Sequence, residues 1–139
     1  LKAITNSPIP IYGDGSNIRD WLYVDDHISA LILVAIEGQI GETYCIGGGT
    51  EMSNLEVALA ICNCLDKLIP RQKKYEKLIS FVKDRPGHDQ RYSIDSTNIY
   101  HLLGWKPRYT FNQAINKTVK WYIENLDWCE SLMKNSESP

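Results

Sequence analysis

Long apolar runs are missing from this sequence, and so is an excess of charge of either sign. The longest uninterrupted apolar stretch is Ala30 to Ile36, far short of the roughly 20 residues that a membrane-spanning helix needs. No charged and then apolar leader opens the chain, as a secretory signal would. The formal net charge is -2, whereas nucleic-acid-binding domains carry a basic excess. We therefore expect a protein that is not membrane-inserted, is not exported and does not bind nucleic acid.

Cysteine and histidine are few, and their spacing suits neither disulfides nor a metal. The four cysteines contain no C-x-x-C pair and lack the spacing of a disulfide framework; they are Cys45, Cys62, Cys64 and Cys129. None of the three histidines has another His or Cys at metal-ligand spacing. These absences predict no metal site, and reduced thiols in a cytoplasmic protein.

Self-contained catalytic motifs are also missing. The sequence has no G-x-S-x-G elbow, P-loop or H-E-x-x-H motif, and no tyrosine is followed four residues later by lysine. The glycine run Gly47 to Gly49 lacks the G-x-G-x-x-G spacing of a dinucleotide loop. A glycine turn before a helix is either an anion-binding turn or a flexible connection, and the sequence leaves both open. We predict no catalytic and no cofactor-binding residue in this chain.

Short strand-like segments alternate with helical segments along the chain. Strands are predicted at 9–12, 18–24 and 43–46, with a strand, a turn and a strand at 81–95. Helices are predicted from Asp25 to Gly38, from the capping box at Ser53 to Pro70, at 96–103, and from the capping box at Thr110 to Cys129. The fold class is therefore α/β, as a small α+β-like domain with short strands and about four helices. We expect one domain at 1–135, since its size is typical of a single core, and a fraying polar tail at 136–139.

A charged turn is built around adjacent proline and glycine residues. Pro86 fixes φ near the turn value and Gly87 tolerates a positive φ, so the turn keeps its shape at little cost. Arg85, His88 and Arg91 would then present guanidinium forks and an imidazole from a fixed loop, which suits a phosphate-like oxyanion. The alternative is a solvated surface turn with Asp–Arg pairs.

Five short blocks of sequence are together more specific than any one motif. They are Pro10–Gly13, Ile18–His27, Gly41–Gly48, Asp84–Asp89 and Leu103–Pro107. In this order they resemble the C-terminal part of the dTDP-glucose 4,6-dehydratases, a family of extended short-chain dehydrogenases/reductases. One departure is Cys45, where the family pattern usually has Asn, and a thiol is a poor hydrogen-bond partner.

The resemblance implies a substrate-binding domain without its Rossmann half. The family binds NAD in its N-terminal Rossmann domain, oxidises the sugar at C4, removes water across C5 and C6, and returns the hydride to C6. All of those parts lie upstream of Leu1, so we expect a fragment that binds no cofactor and is inactive alone. The expected ligand is dTDP-glucose, and the full-length family is expected to form a homodimer.

The resemblance also assigns substrate-binding residues, position by position. Ser7, Pro8, Ile9, Pro10, Ile11 and Tyr12 resemble the edge that meets the thymidine; Arg19 and Arg85 resemble the diphosphate clamp; Asn54 lies near the deoxyribose; Asp84, Arg85, Pro86, Gly87 and His88 form the nucleotide-binding turn. Two other interpretations stay open. One is a stand-alone nucleotide-sugar binding or interaction module, and the other is a fragment of a sibling NDP-sugar epimerase or decarboxylase.

Overall fold

A computed structural model describes residues 1–136, over which the chain forms five α-helices and four short strands. In chain order these are β1 (Ile9–Tyr12), β2 (Ile18–Asp20), α1 (Val24–Glu37), β3 (Glu51–Ser53), α2 (Asn54–Leu68), a 3-10 turn (Tyr75–Leu78), β4 (Ile79–Val82), α3 (Thr97–Leu103), α4 (Phe111–Glu124) and α5 (Leu126–Ser136). The predicted class, a small mixed α/β domain, is confirmed.

The strands form two separate pairs rather than one sheet. β1 and β4 are parallel, with Ile9 opposite Ile79, and β2 and β3 are antiparallel, with Arg19 opposite Met52. The strand predicted after the charged turn is wrong, because only an isolated bridge between Ile18 and Arg91 forms there. The predicted strand at 43–46 is also absent, and these residues are irregular. A strand needs a neighbouring backbone to pair with, and the described residues offer none to this segment.

Helix α1 ends at Gly38 as predicted, but it differs from its prediction in where it begins and in the face that it buries. Tyr23, not Asp25, precedes the helix, and Gly38 ends it with φ -65°, outside the left-handed region. Ile28, Leu31, Ile32, Ala35 and Ile36 recur at helical spacing, which predicts an apolar stripe as the buried face. This stripe is largely exposed, as Ile28 and Ile36 illustrate with exposed fractions of 47% and 75%. Since Asp26 and Ala30 are the buried residues of α1, the helix is turned away from its apolar stripe.

The main core lies between α2 and α4. Its buried members are Ala3, Cys62, Cys64, Leu65, Tyr75 and Val119. Both predicted capping boxes are confirmed, at Ser53 for α2 and at Thr110 for α4. They fix where each helix begins, because each satisfies backbone N–H groups that the first turn leaves unpaired.

The last predicted helix is in fact two helices that meet at Asn125. The side-chain amide of Asn125 donates to the carbonyl of Trp121 at 2.8 Å, so it competes with the backbone for an acceptor of the helix. Of the polar tail predicted at 136–139, Ser136 ends α5 and residues 137–139 lie outside the described residues. In the described part of the chain, every helix is too short or too polar to cross a lipid bilayer.

Candidate anion-binding site

The parallel pairing of β1 with β4 brings two distant loops to one edge. Carboxyl ends of parallel strands lie side by side, so the residues after Tyr12 meet the residues after Val82. The N–H of Gly13 donates to the carbonyl of Val82 at 2.9 Å. Gly13 has φ +58°, and a Cβ there would lie 3.0 Å from an Asp84 carboxylate oxygen. Only glycine allows this approach without strain.

The charged turn is held by its own side chains. Asp84 Oδ1 accepts from the Arg85 N–H at 2.8 Å and from His88 Nδ1 at 2.7 Å. The His88 N–H donates to the Arg85 carbonyl at 3.2 Å, and Gly87 has φ +69°. The His88 side chain is only 6% exposed although its neighbours are exposed. The turn therefore presents one nearly buried imidazole from a surface loop.

Two guanidinium groups converge on the second ring nitrogen of His88. Arg19 Nη2 lies 3.2 Å from His88 Nε2, and Arg85 Nη2 lies 2.9 Å from the same atom. A guanidinium can only donate, so Nε2 accepts and the proton is on Nδ1, which donates to Asp84. This hydrogen bond is the main cause that lowers the pKa of Asp84 below its ordinary value.

Aromatic rings flank both arginines. The Arg19 guanidinium lies 4.4 Å from the centre of the Tyr92 ring, and that of Arg85 lies 5.3 Å from the centre of the Tyr12 ring. Tyr12 also meets His88 edge-on, with ring centres 6.4 Å apart. We call Tyr12, Arg19, Arg85, His88 and Tyr92 the arginine cluster. It combines two fixed positive forks with a half-exposed ring, which suits a planar or tetrahedral anion joined to a flat group.

The predicted site residues divide between this cluster and other places. Ser7, Pro8, Ile9, Pro10 and Ile11 lie in or before β1, upstream of Tyr12, and Ile11 is buried. Asn54 begins α2, and its N–H donates to the carbonyl of Asn17 at 3.0 Å. No hydrogen bond of the described residues joins Asn54 to the arginine cluster.

One arginine of the predicted turn is engaged elsewhere, and one cluster member was not predicted. Arg91 binds Glu51 through two bonds of 2.7 Å, so its fork is not directed at the site that we predicted for it. Tyr92 was missed because neither the charged turn nor the family resemblance pointed to it. The only signal for it was its place shortly after His88, in the segment for which a strand was predicted.

The backbone N–H groups in and after the glycine run are hydrogen-bonded to a carboxylate of the chain itself. Asp20 accepts from the Gly48 N–H at 2.9 Å and from the Thr50 N–H at 3.0 Å. A Cβ on Gly48 would lie 2.2 Å from the Trp21 carbonyl oxygen, and β3 separates the run from α2. The anion-binding interpretation of the glycine run is therefore wrong. Its glycines allow close packing, and Asp20 already holds the place of an anion.

A cavity of about 690 Å³ lies apart from the arginine cluster, between the start of α1, α2 and α4. Several aromatic side chains line it, among them Trp21, Tyr23, Tyr109, Trp121 and Tyr122. No member of the arginine cluster lines it.

In the described residues, no group of three or more His, Cys, Asp and Glu side chains is arranged to hold a metal ion.

Comparison with known proteins connects this geometry to one family. The family model described as GDP-mannose 4,6 dehydratase matches residues 2–118. Among curated proteins, dTDP-glucose 4,6-dehydratase of Shigella flexneri is 52% identical over 132 residues, and dTDP-glucose 4,6-dehydratase 1 of Escherichia coli K12 is 51% identical over 132 residues. Each alignment covers 95% of this chain and 37% of the relative. The chain thus spans little more than a third of the length of these relatives.

Solved structures agree with the sequence comparison. A dTDP-glucose 4,6-dehydratase of Bacillus anthracis in complex with NAD gives a TM-score of 0.81 at 42% identity, covering 91% of this chain and 38% of that one. The Streptomyces venezuelae enzyme with NAD and dTDP bound gives 0.78 at 38% identity, covering 91% and 37%. The resemblance that we drew from five sequence blocks is confirmed.

Proposed function

The chain belongs to the GDP-mannose 4,6 dehydratase family, and from this premise we propose that it is the C-terminal, nucleotide-sugar-binding part of an NAD-dependent dTDP-glucose 4,6-dehydratase. In this role it binds the dTDP moiety of dTDP-glucose, and residues 1–135 act as one binding domain. A second part of the enzyme, upstream in sequence, carries the dinucleotide site. The free cysteines support a cytoplasmic location, and we propose a homodimer for the complete enzyme.

The observation that carries the proposal is the convergence of Arg19 and Arg85 on one nitrogen of His88. Two like charges held this close favour an anion between or beside them, because it relieves their repulsion. Each guanidinium has five N–H donors, so each can keep its bond to His88 and donate others to phosphate oxygens. We assign Arg19 and Arg85 to the diphosphate.

The remaining assignments follow from where the residues lie. Tyr12 is 44% exposed at the end of β1 and offers its ring for stacking on the thymine, with the preceding residues Ser7 to Ile11 forming the wall behind it. Asn54 is half-buried at the first turn of α2, where N–H groups and the positive end of the helix dipole favour polar ligand groups. We assign it to the deoxyribose. Asp84 orients His88 rather than touching an anion.

The residues present in this chain do not fit NAD. The glycine run packs against Trp21 and is bonded to Asp20, so it leaves no room for a pyrophosphate. The sequence also lacks the Tyr-x-x-x-Lys pair that the family uses on the sugar. Cofactor binding and the redox steps therefore belong to the upstream part of the enzyme.

The first test is dTDP binding to the full-length protein that contains this chain, measured by calorimetry. Arg85→Ala and Arg85→Lys should both weaken binding about tenfold or more, because a point charge cannot replace a planar fork. Arg108→Lys is the matched control, since Arg108 is an exposed arginine outside the cluster, and it should bind as the wild type does. Full affinity in Arg85→Lys would contradict the clamp assignment.

The same titrations separate the alternatives. Equal or tighter binding of UDP would favour a sibling epimerase or decarboxylase over a dTDP-glucose dehydratase. A second arm supplies the 139-residue chain alone with NAD and dTDP-glucose, in a preparation free of host dehydratase, and follows the 4-keto-6-deoxy product. We expect no product, because the hydride acceptor has no site here. Turnover by the isolated chain would contradict the division of labour proposed for the enzyme.

A further inference from the structure

The segment that carries His88 and Tyr92 is joined to the edge of β2 by backbone hydrogen bonds. The Ile18 N–H donates to the Gln90 carbonyl at 2.8 Å, and the Tyr92 N–H donates to the Ile18 carbonyl at 3.0 Å. These two bonds make the isolated parallel bridge between Ile18 and Arg91. One bridge is a weak backbone support, and side chains supply the rest, as where Asn17 Nδ2 donates to the Asp89 carbonyl at 3.2 Å.

Side chains alternate between the two faces of this small sheet. Successive residues of a strand point to opposite faces, so Arg19 lies on the face opposite to Ile18 and Asp20. Glu51 is paired with Asp20 and shares its face. On the bridged segment, Arg91 is paired with Ile18 and shares its face. Tyr92, the next residue, therefore lies on the same face as Arg19. Arg19 and Tyr92 thus lie on the front face, and Glu51 and Arg91 lie on the rear face.

The rear face carries an ion pair that is held by two hydrogen bonds. Arg91 Nε and Nη2 donate to the two carboxylate oxygens of Glu51 at 2.7 Å each, and Ser93 Oγ donates to Glu51 Oε1 at 2.7 Å. A fork-to-fork pair of this kind fixes orientation as well as distance. It reaches from β3 across β2 to the bridged segment, and so it spans all three backbones.

The placement of Arg19 and Tyr92 on the front face depends on the register in which the bridged segment pairs with β2. Arg19 lies 4.4 Å from the centre of the Tyr92 ring, and its Nη2 also donates to the Asp89 carbonyl at 3.0 Å. A slip of the bridged segment by one residue would turn Tyr92 away from Arg19, because every side chain would change face. The position of Arg19 relative to His88 is therefore tied to the pairing that the rear face stabilises.

We infer that Glu51 is a positioning residue of the diphosphate site, acting through its bidentate pair with Arg91 to hold Arg19, His88 and Tyr92 in register. This inference rests on the proposed function, since it adds a rear support to the proposed diphosphate clamp. In this role Glu51 itself touches no ligand. Its effect on the reaction is exerted entirely through the segment that Arg91 anchors.

The test uses the full-length protein with Glu51→Gln, Arg91→Gln and the double variant. We expect each single variant to raise the KM for dTDP-glucose about fivefold with kcat unchanged, because the diphosphate is bound alike in the ground and transition states. The double variant should be no worse than either single variant, because both remove the same pair. Glu76→Gln is the matched control, an identical change at a partly exposed glutamate whose nearest cation is 3.9 Å away.

Two results would overturn the inference in the active enzyme. An unchanged KM would mean that the rear pair does not position the site. A fall in kcat that matches a loss of folded protein, with KM constant, would mean that Glu51 is structural only.

A second measurement decides the inference even if the wild-type protein neither binds dTDP nor turns over, an outcome that overturns the proposed function. By NMR, the Arg19 side-chain protons should be shifted upfield by the Tyr92 ring, and Glu51→Gln should move them towards their unshifted positions. Identical Arg19 shifts in wild type, Glu51→Gln and Glu76→Gln would show that Arg19 does not depend on the rear pair, and the inference would fail.

Discussion

Replacing Asp26 by Asn should destabilise the chain although the two side chains have nearly the same shape. Asp26 is only 1% exposed, and its two carboxylate oxygens accept from the N–H groups of Arg108 at 3.0 Å and Tyr109 at 3.2 Å. No lysine or arginine side chain pairs with it among the described residues. The carboxylate is therefore held by backbone donors alone, and it fastens the segment before α4 to the first turn of α1.

The magnitude follows from these two bonds. Each hydrogen bond to a charged group contributes about 1.5–3 kcal/mol, against about 1 kcal/mol for a neutral pair. In Asp26→Asn the amide oxygen keeps one neutral bond, while the NH2 group faces the other backbone N–H and leaves it unsatisfied. Relief from burying a charge offsets part of the loss. We expect the free energy of unfolding to fall by about 2–4 kcal/mol.

The assay is urea unfolding followed by circular dichroism, in parallel with Asp25→Asn. Asp25 is the exposed neighbour in the same helical turn, so its variant loses the same helix-dipole interaction, about 0.3–1 kcal/mol, but no buried bond. With a slope of about 2 kcal/mol per molar urea, Asp26→Asn should lower the midpoint by about 1–2 M. Equal midpoints for the two variants would refute the role given to the buried carboxylate.

Three further outcomes can be checked on the same chain. Gly15→Ala should cost about 2–4 kcal/mol in unfolding experiments, because φ is +78° and a Cβ would lie 2.7 Å from Ile11, whereas Gly41→Ala, with φ +89° and open space, should cost only about 1–2 kcal/mol. Val119→Ala should shift the denaturant midpoint more than Tyr122→Ala, since their exposed fractions are 5% and 39%; the opposite order would mean that the buried face of α4 is misassigned. Hydrogen bonds from Arg91 lower the pKa of Glu51 from 4.5 to about 2, so the stability that Glu51 contributes is complete above pH 4.5 and is lost as the pH falls towards 2. Glu51→Gln should flatten the stability profile in that window, and profiles of equal slope would contradict the pairing.

The sequence predicted best what local chemistry determines. The capping boxes at Ser53 and Thr110 were located correctly because each consists of two residues three positions apart. The turn around Pro86 and Gly87 was located correctly for the same reason, since φ is restricted within the turn itself. The family resemblance assigned Arg19 to the same binding site as this turn, although the two are about seventy residues apart in the chain.

The features of the fold and of the site that could not be predicted from the sequence depend on contacts between distant residues. The apolar stripe of α1 predicted the wrong buried face, because Asp26 is drawn inwards by the backbone of Arg108 and Tyr109, which no helical periodicity reports. Arg85 and Arg91 are the same residue type, so the sequence does not tell which of them faces the site. Only the position of Glu51 on β3 shows that Arg91 binds a carboxylate elsewhere.

The pairing of Ile9 with Ile79 also determines when the arginine cluster forms during folding. Helices such as α2 can begin from neighbouring residues, but Tyr12 meets Arg85 only after about seventy residues have been closed into a loop. Contacts between distant residues form slowly, since the entropy of the loop is lost before the contact is gained. A growing chain on the ribosome therefore has no anion site until the segment beyond His88 has been synthesised, so nucleotide cannot assist the earlier folding steps.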